Sequence, residues 1–101
     1  MKYLLFRSFG ELDRRINEHE LVAVEYGRDI EDATKALIAA AKEDLAGLPE
    51  YKGCAVNVYA PKSLATIEDV EKYDYEMEGV VSPPNAPENI LIDYGIVEET
   101  E

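Results

Sequence analysis

Ile30, Ala33, Leu37, Ala41 and Leu45 fall at helical spacing through an alanine-rich segment, and a stripe of that length commits the middle of the chain to one long amphipathic helix. Asp29 stands three residues before Asp32, and the acids Glu31 and Asp32 suit the positive end of a helix macrodipole. Gly47, followed by Leu48-Pro49, supplies the stop. Ala39, Ala40 and Ala41 let the helix lie close to a sheet, and the strands of that sheet have to come from the short apolar runs on either side.

Tyr3-Leu4-Leu5-Phe6 is a continuous apolar run between Lys2 and Arg7, the pattern of a central strand buried on both faces. Ser8-Phe9-Gly10-Glu11 has capping-box spacing, and Phe9, Leu12 and Ile16 share one face. A first helix is expected from there to about His19, with Glu11 and Arg15 as an i,i+4 pair. Leu21–Tyr26, closed by Gly27, reads as the second strand, and Cys54–Tyr59, ended by Pro61, as the third. Two strands joined by the long helix make a βαβ-like unit, with the strands either parallel neighbours or separated by another strand. Thr66-Ile67-Glu68-Asp69 caps a short helical turn reaching about Tyr73. Tyr75–Val81 and Asn89–Val97 form an antiparallel hairpin whose connection is stiffened by Pro83, Pro84 and Pro87.

The expectation is an α/β (α+β) fold in one compact domain over residues 1–101. Its order is β-α-β-α-β-(short α)-β-β, with a mixed five-stranded sheet, one long helix and one or two short ones. Glu98–Glu101 reads as a frayed acidic tail.

One cysteine, Cys54, excludes an intramolecular disulfide, and one Cys with one His, His19, cannot assemble a structural zinc site. The N-terminal apolar run is too short for a signal peptide, and no stretch is long enough to span a membrane, so a reducing, cytoplasmic setting is expected. No phosphate loop, nucleophile elbow or His-Glu-x-x-His is present. His19, flanked by Glu18 and Glu20, suits a helix C-terminus better than general-base work. Cys54 opens a strand beside Val56 and Val58 and has no local activating cation, which makes it a core residue sooner than a nucleophile. Arg7, Arg14, Arg15 and Arg28 match phosphate or carboxylate geometry but read more simply as a solvated face. No catalytic residue, cofactor or metal is assigned. A weak calcium site among the acids is the remaining metal option, without the loop spacing that a strong one needs.

Charge is the feature that points to function. Of a net −12, residues 63–101 carry −10, with eleven acids against Lys72. Such a face disfavours nucleic acid and anionic membrane as direct partners and suits a basic protein surface. In Tyr73-Asp74-Tyr75-Glu76-Met77-Glu78, strand alternation puts Asp74, Glu76 and Glu78 on one side and Tyr73, Tyr75 and Met77 on the other. Same-side residues recur every ~6.6 Å, a spacing of the order of successive phosphates, and Glu68, Asp69 and Glu71 extend the row. With Tyr73 and Tyr75 as contact anchors, this ribbon is the candidate partner-binding site.

The expected function is a small, acidic, non-catalytic inhibitor. It would bind a basic protein surface as a nucleic-acid mimic, in the manner of phage or mobile-element proteins of anti-CRISPR or anti-restriction type that block a host-defence nuclease. The alternative is an oligomeric binding or structural module, an assembly subunit or a small-ligand sequestering protein, using exposed strand edges and the apolar Ile90–Val97 strand. A small enzyme using His19 or Cys54 ranks last.

Overall fold

A computed structural model describes residues 1–8, 19–63 and 73–100. The first helix expected after Ser8, the capped turn at Thr66–Asp69 and the acids Glu68, Asp69 and Glu71 lie outside the described residues, as do Arg14 and Arg15. What is described is a small α+β domain, an antiparallel sheet with one α-helix packed on one face.

The strands are β1 (Lys2–Ser8), β2 (His19–Tyr26), β3 (Ala55–Val58), β4 (Lys62–Ser63), β5 (Tyr75–Ser82) and β6 (Ile90–Glu99). Their spatial order is β2-β1-β6-β5-β3, and β4 pairs with β5 beyond the end of β3. Every pairing is antiparallel, so the sheet is not mixed. The βαβ-like unit resolves accordingly. β2 and β3 run in the same direction at opposite ends of the sheet, with β1, β6 and β5 between them, and the helix α1 (Ile30–Ala46) crosses from one to the other. His19 belongs to β2, opposite Ser8, and not to a helix end. Glu98 and Glu99 are strand residues paired with Tyr3 and Lys2, which corrects the expected fraying at that point.

α1 begins where its sequence says it should. The Asp29 side chain accepts from the Asp32 N–H at 2.8 Å, while the Asp32 carboxylate accepts from the Arg28 N–H at 3.0 Å and its guanidinium at 3.3 Å. Those bonds from Arg28, backbone first, hold the Asp32 carboxyl below its ordinary range. Ala33, Leu37, Ala41 and Leu45 are completely buried against the sheet. Gly79 of β5 lies beneath Leu45, where a Cβ would come within 2.7 Å of the leucine Cδ1, so a bare backbone here sets how closely helix and sheet approach. Leu37→Ala is therefore expected to cost about 2–5 kcal/mol by leaving a cavity in this layer, read from chemical denaturation.

The helix-side face of the sheet supplies Tyr3 and Leu5 of β1, Met77 and Val81 of β5, and Tyr94 and Ile96 of β6, all buried. Arg7 continues the Tyr3-Leu5 alternation into this core and is only 4% exposed. Its guanidinium binds Asp44 of α1 and, at 2.7 Å, Glu20 of β2. The Tyr94 hydroxyl donates to the other Asp44 carboxylate oxygen at 2.7 Å. Arg7 is thus an internal tie between helix and sheet, and neither a phosphate-binding nor a solvated residue. The Tyr3 hydroxyl is buried with no hydrogen-bond partner.

On the opposite face the sheet divides by chemistry. The β1–β2 side carries Leu4, Phe6, Leu21, Val24 and Tyr26, of which the last three are exposed, and the β5–β6 side carries Glu76, Glu78 and Asp93.

Candidate functional site: the acidic face of the hairpin

The β5–β6 hairpin positions the acids. Its ladder runs from Tyr75↔Ile96 to Val81↔Ile90; β5 starts at Tyr75 as expected and ends one residue later, at Ser82, while β6 starts one residue later than expected, at Ile90, and ends two residues later, at Glu99. Along β5 exposure alternates: Glu76 and Glu78 are exposed, while Met77, Gly79 and Val81 are buried under α1. Glu78 lies directly opposite Asp93, so two like charges face each other across the ladder, an arrangement that destabilises a sheet by itself. Glu76 lies opposite Gly95 on one side and Lys62 of β4 on the other. Among the described residues no salt bridge or hydrogen bond within the protein engages the carboxylates of Glu76, Glu78 or Asp93.

The expected three-acid row is cut to two. Asp74 occupies a bend before β5, where its N–H donates to Ile96 O at 2.8 Å and its carboxylate accepts from the Glu98 N–H at 2.7 Å. It extends the β5–β6 pairing with its side chain, and this removes it from the row. The same bend breaks the expected alternation of the tyrosines. Tyr75 faces the helix side, half-buried, and its hydroxyl donates to Glu98 at 3.3 Å. Tyr73 lies on the open face instead, with its ring over Gly95 and its centroid 6.0 Å from that of Phe6. Both tyrosines are therefore partly engaged within the protein. A Cβ at Gly95 would run into the Tyr73 ring.

Asp93 was missed in reading the ribbon because it is distant in sequence. Strand alternation from Tyr94 and Ile96 as core residues is the signal that could have found it. Tyr59, 51% exposed, lines an open depression of about 60 Å³ with Ala60, Lys62, Glu76 and Glu78. That is far below the ~300–1,000 Å³ of a small-molecule site.

Cys54 is half-buried beside the core, and His19 and Cys54 lie on different strands or their approaches, far apart in the sheet order. Among the described residues no group of three or more His, Cys, Asp or Glu is placed to hold a metal ion. Nor is any described helix long and apolar enough to cross a membrane. No protein-family model, curated protein or solved structure matches the chain.

Proposed function

We propose that this protein is a small non-catalytic inhibitor that binds a basic protein surface through the acidic face of its β5–β6 hairpin. The observation that supports this reading is the group Glu76, Glu78 and Asp93, three exposed carboxylates on adjacent strands, with Lys62 the one cation opposite them in the pairing register among the described residues. Glu78 and Asp93 repel across the ladder. A cationic partner converts that repulsion into attraction, and the fold gains nothing from it otherwise.

The partner of matching chemistry is a lysine- and arginine-lined groove built for nucleic acid. Glu76 and Glu78 repeat at ~6.6 Å along the strand, and Asp93 adds a second rank roughly 5 Å away across it. Such a ribbon occupies the groove as a phosphate backbone would, releasing the same counterions. Glu68, Asp69 and Glu71 precede it in the chain and add to the local charge, and the half-buried Tyr73 and Tyr75 flank it. A nuclease of a host defence system is the target class that fits an inhibitor of this size and charge, and the setting is cytoplasmic.

Capture from host lysate with and without competing DNA identifies the partner, and DNA should displace it. Reversing Glu76, Glu78 and Asp93 to lysine is expected to weaken binding at least ~100-fold while the circular dichroism spectrum stays unchanged, since all three side chains are exposed. Affinity that survives the reversal, or that stays flat across a salt titration, would refute charge mimicry.

A further inference from the structure

On the face of the sheet away from α1, the pairing registers place Leu21, Phe6, Gly95 and Glu76 side by side across β2, β1, β6 and β5. The Tyr73 ring lies over Gly95, so the row runs leucine, phenylalanine, tyrosine, glutamate. Val24, Leu4 and Val97 make a second apolar row beside it. Leu21 is 50% exposed and Val24 36%, so the outer part of this apolar area meets water. Only three strand spacings, roughly 14 Å, separate Leu21 from Glu76.

An apolar area bordered on one side by carboxylates restricts what can cover it. A second copy of this chain brings another net charge of −12, and the expected route to an oligomer through Ile90–Val97 is closed because β6 lies between β1 and β5. An anionic lipid surface is repelled by the same acids. The complement is a segment that is apolar on one side and basic along one flank. Lys62 stands beyond Glu76, on the side away from the apolar rows, and does not supply that flank.

An α-helix has the dimensions for this. With its side chains it is about 10–12 Å across, so a helix laid along β1 covers β2, β1 and β6 and holds one flank above β5. Residues four apart on that flank rise about 6 Å, against ~6.6 Å between Glu76 and Glu78 along the strand. The sheet already takes one helix in this manner, since the Ala33, Leu37, Ala41 and Leu45 stripe of α1 is buried on its other face.

We propose that the open face docks an amphipathic helix of the partner, with its apolar stripe on Leu4, Phe6, Leu21 and Val24 and with lysines or arginines four residues apart on Glu76 and Glu78. The inference rests on the reading that these acids bind a basic protein surface, and it names the element of that surface they meet. Charge alone matches many basic surfaces, and the apolar rows select one that carries an apolar stripe beside its cations.

A synthetic helix of about five turns, with a leucine stripe bordered on one flank by lysines, probes the full chain, alongside a shuffled peptide of the same composition. The helix is expected to shift the methyl resonances of Leu21 and Val24 and to bind at least ~10-fold tighter than the shuffled peptide. Leu21→Ser, at an exposed site, should weaken binding about tenfold or more and keep its salt dependence, whereas Glu76→Gln with Glu78→Gln should weaken it and flatten that dependence. Methyl resonances that stay in place, equal binding of the shuffled peptide, or an affinity indifferent to Leu21→Ser overturns the proposal. So do contacts of the Leu21 and Val24 methyls with residues 9–18 in the free chain, or a dimer that buries them, since another occupant then holds the face. Loss of binding with the acids but not with Leu21→Ser refutes only this inference, while an affinity flat in salt and indifferent to the glutamines refutes the basic-surface reading as well.

Discussion

Replacing Arg7 by methionine is expected to cost about 3–5 kcal/mol and to lower the melting temperature by roughly 15 °C or more, because it leaves the Asp44 carboxylate partly buried without its cation. The Asp44 side chain is 16% exposed, so water reaches it poorly, and its remaining described donor is the Tyr94 hydroxyl. Glu20 behaves differently. At 62% exposure it hydrates freely once Arg7 is gone. The damage should therefore be specific to Asp44, and Arg7→Met combined with Asp44→Leu should recover most of the loss, since an apolar pair of similar volume avoids the desolvation penalty. Denaturant titration of wild type, both single variants and the double variant gives the coupling directly. A double variant no more stable than Arg7→Met alone would mean that packing of the arginine stem, and not the ion pair, holds α1 to β1.

Arg7 also shows what was legible in the sequence and what was overlooked. Tyr3, Leu5 and Arg7 alternate, and the first two are completely buried, so the third was due to enter the core with them. Residue type suggested a solvated cation, but position decided. Its partners, Glu20 and Asp44, come from a neighbouring strand and from the helix, and no local spacing announces either. α1 was legible almost to the residue because its signals are local: the Asp29 cap, the stripe from Ile30 to Leu45 and the Gly47 stop all act within a few residues of one another. The β5–β6 hairpin was legible for the same reason.

Topology was harder to read. A strand-helix-strand pattern is compatible with parallel neighbours or with strands at opposite ends of a sheet, and only the long-range pairing of β6 between β1 and β5 separates the two. The acidic site was read in part. Glu76 and Glu78 followed from alternation, but Asp74 carries the same charge in the same pattern and is turned aside by one bend, at which its carboxylate meets the Glu98 N–H. Charge composition records how many carboxylates a segment has, whereas the hydrogen bonds they meet determine how many remain available to a partner.

Above pH ~10 the protein is expected to lose stability steeply, because Tyr3 and Tyr94 keep their protons in the fold after the unfolded chain has begun to release them. Burial is the main cause at both positions, with the Glu98 carboxylate adding to it at Tyr3 and the Asp44 carboxylate at Tyr94, and each holds the phenol well above its ordinary value of 10.0. A folded-state pKa raised above the unfolded value contributes stability that is complete below the unfolded pKa and is lost as pH rises toward the folded one. In that window each of the two tyrosines, 0% and 1% exposed, removes about 1.4 kcal/mol per pH unit. Tyr3→Phe separates this linkage from packing. Its hydroxyl is buried near the Glu98 carboxylate with no hydrogen bond of normal geometry, so removing it should change stability at pH ~7 by no more than about 1 kcal/mol. The alkaline slope should meanwhile fall by about 1.4 kcal/mol per unit. Denaturant midpoints measured from pH ~8 to ~11, with tyrosinate absorbance followed in the same samples, give both quantities. A Tyr3→Phe chain that keeps the wild-type slope, or a wild-type chain whose tyrosines all ionise near 10.0 without unfolding, would show that this side of the sheet is open to water.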